Sequence, residues 1–527
     1  MKTENSAADL YPAPDGYVET EDWFERHPRK LKAVLAIMFI LAALVRLYDL
    51  DASGMLVDRD YTSAMFARDF YFSRSEDVAP WRRDIAGKTR QNQPILEPPI
   101  TEWLVSWTYD LVGKEQLRCA RILTSVFWLA GGIFLFSIAR SLVSAEGAVF
   151  ALGFYLFLPL SVLLSRSFQP DSLMMMLFLA SLWSIVRYYE HANTGSLVIA
   201  ALVAAATLVY RPLVLLPLLG AFTLPQLQSR GLWKGAFNRQ TIIYVTISCL
   251  PMLLYYGHAT FIAKTFGWKL ATSFRFDLWL HHEYWSGWFN IAVDKFGLWA
   301  LIAAAIGFVF LRPGLPRAIV TGLALGYLAF GLLFTMHIHT HDYYQAQLVP
   351  TVAIAAAPLV VFLARAILRS SGRWNRWFSI LLVALLVLLP WAHRIKAGLH
   401  QAGFESPSTA REIGELVEHS DHVVFLSRYY GVPIQYFGEF TGAYWPRAIR
   451  QKLYREKGEH KLSVDERLQQ IDFVPEYFVI TFFRFYEMHH PDLAAYLQQS
   501  CVPKAITDEY LVYEQCRPLV AQNPEVQ

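Results

Sequence analysis

The sequence predicts an α-helical polytopic membrane protein of about eleven spans, with a small α/β domain after them. Three observations predict it. Of 527 residues, 54% are hydrophobic and only 17% charged, with a mean hydropathy of +0.29. Apolar stretches near the roughly 20 residues that cross a bilayer recur along the first three quarters. Past about residue 400 the composition turns polar, with mixed charge. A large soluble protein would need many consecutive helices apolar on every face, and soluble domains carry about 25% charged residues. The net charge of +3 is too small to suggest a nucleic-acid partner.

Residues 1–30 are polar and acidic, then basic, and read as a cytoplasmic N-terminal segment. The apolar run behind them lacks a small-residue cleavage site, so it reads as a span and not as a removed signal peptide. Spans are expected near 31–49, 121–141, 145–164, 171–188, 196–209, 212–225, 241–258, 297–311, 318–336, 348–366 and 378–393. Together 31–395 form the membrane part. Lys/Arg bias orients the spans. Four basic clusters, Arg29 to Lys32, Arg230 to Arg239, Arg312 with Arg317, and Arg365 to Arg376, share one side only if 196–225 is two spans. That places the N-terminus in the cytoplasm and the C-terminus outside.

Three outer segments then follow: the loop 50–120, the aromatic-rich segment 259–296, and the tail 400–527. Two short outer turns, 165–171 and 337–347, lie between them. In the tail "STAREIGELVEH" reads as a Ser/Thr-capped amphipathic helix, "HVVFLS" and "EYFVITFF" as strands, and "PDLAAYLQQS" as a second helix. Cys501 and Cys516 bracket two short strands joined by an Asp-Glu turn. On the outer side, an oxidising compartment favours a disulfide between them.

Charged residues at membrane depth cost about 2.5–3.5 kcal/mol each on insertion scales and usually mark function or an interface. The first outer loop opens with Asp58, Arg59 and Asp60. The segment behind them reads as an interfacial helix, with Ala64, Met65, Phe66, Phe70 and Tyr71 toward lipid and Arg68 and Asp69 on the wet face. Glu97 precedes Pro98-Pro99 and so sits in an extended turn. "ITEWLVSWTYDLV" follows as a surface helix with Trp103 and Trp107 one turn apart. In "SRSFQPDSLMM", Asp171 stands where a helix begins: the acid complements the positive end of the dipole, or it serves a site together with Arg166. His337, His339 and His341 alternate in "HIHTHDYYQAQ", which either belongs to an aromatic belt or lines a site. A zinc site there lacks the spaced ligands such sites use. Arg211, before Pro212, either binds an anion or snorkels to the interface.

The order of these motifs resembles a known family. An acidic outer loop reading "D...A..AR.FY" from Asp60 to Tyr71 is followed by "EPPITEW", Arg121, "SRSFQPDSLMM" and "HTHDYYQAQLVP". Over 31–350 this is similar to the bacterial protein O-mannosyltransferases and aminoarabinose transferases of the GT-C superfamily. The resemblance implies inverting transfer of a sugar from polyprenyl phosphate to an acceptor hydroxyl or amine, at the outer face of a bacterial inner membrane. The partners it implies are the lipid-linked donor, a protein, lipid or glycan acceptor, and membrane lipid.

Such a reaction needs a carboxylate to take the acceptor proton and cationic or polar donors for the leaving phosphate. The family places its base in an Asp-Glu pair, and here the text reads Asp58-Arg59-Asp60. Register on Ala67-Arg68 selects Asp60, and a one-residue slip selects Asp58. Asp171 resembles the family's second acid, which orients the first or the acceptor, or shares a divalent cation with it. No cofactor is otherwise implied. The family often has a basic residue just before the first Pro of its second motif, where this sequence has Glu97. Phosphate ligands are then sought among Lys88, Arg90, Arg59, Arg166 and Arg211. Donor-lipid or sugar contacts are sought at His282, His341, Tyr343 and Tyr344. Two other classes compete: a flippase for a lipid-linked saccharide, and a non-catalytic envelope assembly subunit. A transporter should show repeated halves and charges at span midpoints, whereas here charges gather at outer ends.

Overall fold

The structure, a computed structural model, describes residues 22–52, 57–93, 97–264, 273–369, 373–400, 405–445 and 463–516. Two compact units emerge. One comprises Met1–Met55, Ile95–Thr101 and Arg118–His400, the other Leu56–Pro94, Glu102–Leu117 and Gln401–Gln527. The long loop 50–120 is thus divided between them. Residues 265–272 of the aromatic-rich segment and 446–462 of the tail lie outside the described residues.

The first unit is helical, and each expected span falls on a helix. Among the described residues six helices are long and apolar enough to cross a membrane: Leu117–Leu142, Asp171–His191, Pro212–Arg230, Arg239–Ile262, Leu315–Leu333 and Asp342–Arg369. Two bent pairs raise the number to eight if each is one span. The expected span 145–164 is one of them: Ala145–Phe157 and Pro159–Arg166 meet at 55°. Leu158 is extended there because Pro159 disfavours helix in the residue before it. The other, His282–Phe296 with Leu298–Phe310, bends by 91° at Gly297, whose φ is +80°. Thr194–Tyr210 is apolar but shorter, and Pro28–Leu47 and Arg373–Leu399 run 20 and 27 residues.

Small residues set the closest helix crossing. Gly322 and Gly326, four apart on Leu315–Leu333, let that helix meet Leu215–Arg230. A Cβ on Gly322 would lie 2.2 Å from the Gly220 carbonyl oxygen, and one on Gly326 2.4 Å from that of Leu216. In lipid, where helices gain little from apolar burial, such backbone approach is a main source of attraction. At one end of the unit Glu146 gathers the N-terminal segment and the penultimate helix. It accepts from Trp23 N at 3.0 Å and from Arg365 Nε at 2.7 Å. Two of the basic clusters therefore border the same end.

The second unit is built on a five-stranded sheet, with β1 Val423–Leu426, β2 Gly442–Tyr444, β3 Tyr477–Ile480, β4 Val502–Ile506 and β5 Leu511–Glu514. The order is β2-β1-β3-β5-β4, parallel through β2, β1 and β3 and antiparallel beyond. β1 and β3 are wholly buried because both faces are covered. Val423 and Phe425 pack with Ile413 and Ile434 on one face. Val424 and Leu426 pack with Leu493 and Leu497 on the other. Both predicted strands and the helix Pro491–Ser500 are found. The first tail helix begins earlier than expected, at Pro407, and is capped by Ser406, which accepts from Thr409 N. Cys501 and Cys516 are disulfide-bonded across the β4–β5 hairpin.

The helix Val57–Phe72 corrects one expectation. Arg68 and Asp69 do not lie on a wet face. The Arg68 guanidinium is buried, 2.9 Å from Glu115 and 4.0 Å above the Tyr436 ring, and it donates to the Tyr436 carbonyl at 2.6 Å. Asp69 pairs with Arg90 at 2.5 Å, and burial pushes its carboxyl above the usual range against the opposing pull of Arg90. The apolar residues read as lipid-facing, Ala64, Met65 and Phe66, are protein core instead. Trp103 and Trp107 on Ile100–Val112 remain about half exposed, as a surface helix requires.

Candidate active site

Within the first unit the site starts from a break in a helix. Pro212 cannot continue Thr194–Tyr210 and forces Arg211 into an extended conformation, with φ −155° and ψ 109°. The side chain then reaches two acids. Its Nη1 lies 3.2 Å from Asp171 Oδ2 and 3.5 Å from Glu97 Oε1. Asp171 is the first helical residue of Asp171–His191, with Pro170 one place earlier as its cap. The dipole reading of Asp171 and the site reading thus coincide.

Tyr210 ties the three turns together. Its hydroxyl donates to the Pro170 carbonyl at 3.3 Å and shares a 2.7 Å hydrogen bond with Thr101 Oγ1. Each turn therefore carries one structural bond and one charged group. Side-chain exposures of 7% for Arg211, 1% for Asp171 and 14% for Glu97 rank the pair. Asp171 is the closer and more buried partner, and Glu97 the looser one.

Arg211 and Glu97 stand at the border of a cavity of about 520 Å³ whose walls are otherwise mostly apolar. Leu216, Met252, Tyr256, Phe330, Phe334 and Tyr344 line it. The chemistry is a greasy cavity with one Arg guanidinium in its wall. A low-dielectric wall strengthens the attraction of that cation for an anion. His337 also lines the groove, where its Nε2 shares a 2.8 Å hydrogen bond with Ser273.

The remaining predicted residues are distributed. Tyr344 joins the groove, and Tyr343 and His341 pack against it with ring centroids 4.5 and 6.0 Å away. His282 opens the helix His282–Phe296 and is exposed. Arg166 does not face the Asp171 cluster; it donates to the Asp49 carbonyl at 2.5 Å. In the second unit Asp58, Arg59 and Asp60 form the first turn of Val57–Phe72, where Asp60 is 3% exposed. Near them Ser63 donates to Glu102 at 2.7 Å. Lys88 is held by Asp84 and Asp421 at 2.8 and 2.7 Å, and Arg90 by Asp69. Among the described residues no cluster of three or more His, Cys, Asp or Glu is placed to hold a metal ion. Sequence reasoning missed Tyr210 and Tyr256, whereas His337 lies in the histidine turn it had read as either an aromatic belt or a site. Only the adjacency of Tyr210 to Arg211 could have pointed to the first.

Comparison with known proteins adds to this geometry. Residues 96–255 match the family described as dolichyl-phosphate-mannose-protein mannosyltransferase. No curated protein matches the chain in sequence. Among solved structures, ArnT from Cupriavidus metallidurans bound to undecaprenyl phosphate aligns with a TM-score of 0.55 at 15% identity. That alignment covers 92% of this chain and 99% of that one. The archaeal oligosaccharyltransferase AglB from Archaeoglobus fulgidus, in complex with an inhibitory peptide and a dolichol-phosphate, aligns with a TM-score of 0.54 at 13% identity. It covers 95% of this chain and 76% of AglB. The chain shares the GT-C fold and resembles the polyprenyl-phosphate-dependent glycosyltransferases of that superfamily. Together these matches support a multi-pass membrane protein and sugar transfer in general.

Proposed function

We propose that this GT-C-fold membrane protein is an inverting glycosyltransferase that moves one sugar from polyprenyl phosphate to an acceptor hydroxyl or amine. The observation that carries the reading is the apolar groove with Arg211 in its wall. A polyprenyl chain is apolar along its whole length and ends in one anionic group, so groove and ligand match in both parts. The Lys/Arg bias of the short loops supports a reaction on the outer face, and the resemblance to bacterial transferases supports a bacterial inner membrane.

In the reaction the acceptor oxygen or nitrogen bonds the anomeric carbon as the bond from that carbon to phosphate breaks. The electron pair leaves with polyprenyl phosphate. Negative charge grows on the phosphate, where Arg211 stabilises it. Glu97, the more distant and more exposed partner, yields its place on Arg211 to the phosphate. Asp171 keeps the guanidinium aimed. The acceptor proton passes to Asp60, with Asp58 the second candidate. A phosphate is already a good leaving group, so the step needs one carboxylate, half of the two-carboxylate arrangement of an inverting glycosidase.

The test uses purified protein in lipid with a panel of polyprenyl-phosphate monosaccharides, with and without envelope extract as acceptor. Released polyprenyl phosphate is measured. Release by the wild type and its loss in Arg211→Gln with retained folding is the expected result. Donor binding without release for every sugar tried would overturn the transferase in favour of transport.

A further inference from the structure

A polar cavity of the second unit is untouched by this chemistry. Its volume is about 590 Å³, within the roughly 300–1,000 Å³ of small-ligand sites. Its walls come from three places in the chain: the end of the helix Pro80–Gln91, the edge strand β2 with its flanks, and the segment 467–473. Among the described residues β2 ends the sheet, so one side of its backbone pairs with no other described strand.

The composition of the walls decides the ligand class. The lining includes three aromatic residues, Tyr444, Trp445 and Phe473, and planar amides at Gln91, Asn92 and Gln470. The formal charges of the lining sum to zero, Lys88 and Arg467 against Asp421 and Asp472. Lys88 is 2.7 Å from Asp421, His422 Nδ1 is 3.0 Å from the same carboxylate, and Arg467 sits 5.5 Å from the Trp445 ring centre. A cavity whose charges balance offers little to an anion. Aromatic faces with a small number of fixed donors and acceptors suit a ligand that is flat on one side and rimmed with hydroxyls. Trp445 is 3% exposed, and its indole N–H makes no hydrogen bond to any described residue. An added peptide strand fits less well, because β2 pairs over only three residues.

We infer that this cavity binds a neutral saccharide, so that the acceptor for the transfer is itself a glycan. The binding half stands alone, and the acceptor half rests on the transferase reading above. The experiment uses the full chain in lipid nanodiscs and short neutral hexose oligosaccharides, with binding followed by saturation-transfer NMR and calorimetry. Gln470→Ala and Asn92→Ala change exposed side chains and leave folding intact. Each should weaken binding by about tenfold, whereas Arg211→Gln should not change it. Absence of binding by any neutral oligosaccharide overturns the site, and so does binding that ignores both cavity variants or is confined to anionic sugars or peptides. A bound saccharide that accepts no sugar, in protein that still releases polyprenyl phosphate with another acceptor, overturns the acceptor half alone. No release with any acceptor would count against the transferase while leaving the binding result standing.

Discussion

Arg211 Nη1 stands 3.2 Å from Asp171 Oδ2, with both side chains almost fully buried. Neither residue is near the other in sequence; Asp171 follows the proline that caps its helix, and Arg211 precedes the proline that ends one. A buried pair of this kind is strongly coupled. Removing one partner strands a charge and typically costs about 3–5 kcal/mol, whereas removing both costs much less. Arg211→Gln and Asp171→Asn should each lower the thermal midpoint clearly, and the double variant should recover part of the loss. Arg211→Gln should lose about 10²–10³ in polyprenyl phosphate release, the usual effect of deleting one donor to a developing oxyanion, and Asp171→Asn should lose activity by misaiming that donor. Additive stability losses in the double variant would refute the coupling.

Glu97 predicts an opposite sign. It is the looser partner of Arg211, at 3.5 Å and 14% exposure, and it competes with an incoming phosphate. Glu97→Gln should strengthen donor binding, seen as a lower KM for the lipid-linked sugar, with folding retained. A raised KM would mean that Glu97 aids donor binding, for example by orienting Arg211.

The acceptor proton supplies the third test. Asp60→Asn should lower kcat by about 10²–10⁴, the usual share of general base catalysis, and leave donor KM nearly unchanged. Asp58→Asn should retain most activity. The reverse pattern would move the base by two residues along the helix Val57–Phe72.

Much of this was legible in the sequence, and the gaps have physical causes. Apolar runs of bilayer length announce helices, so every expected span lies on one. Asp171 and Arg211 were legible as charges at span ends, because such charges are costly without a purpose. That they meet was not legible, since tertiary pairing leaves no local pattern. Arg68 was misread because its spacing fits a wet face, whereas Glu115 and Tyr436 bury it from far along the chain. Lys88 and Arg90 looked like free cations for the same reason: Asp421 and Asp69 were invisible as their partners.

Helix packing gives a prediction independent of chemistry. A Cβ on Gly322 would meet the Gly220 backbone at 2.2 Å, and neither backbone can yield without moving its helix. Gly322→Ala should lower the thermal midpoint in lipid and reduce yield. Gly257→Ala, where nothing lies within 4 Å, should be neutral. Equal behaviour of the two variants would contradict the close crossing.

The second unit carries a pH dependence whose sign can be worked out. Glu439 is largely buried, which by itself raises its carboxyl, but hydrogen bonds from Arg82 and the charges of Arg68 and Arg82 outweigh burial and hold it below the ordinary 4.5. The Arg82 contacts are 2.5 and 2.6 Å. A depressed carboxyl binds fewer protons folded than unfolded, so its contribution is complete above 4.5 and fades as pH falls through the folded value. Glu439→Gln should therefore destabilise at pH 7, and the gap from wild type should close on acidification below 4.5. Urea midpoints across that range measure it. A gap that stays constant down to the acid limit would mean that shape and not charge makes the Glu439 contribution.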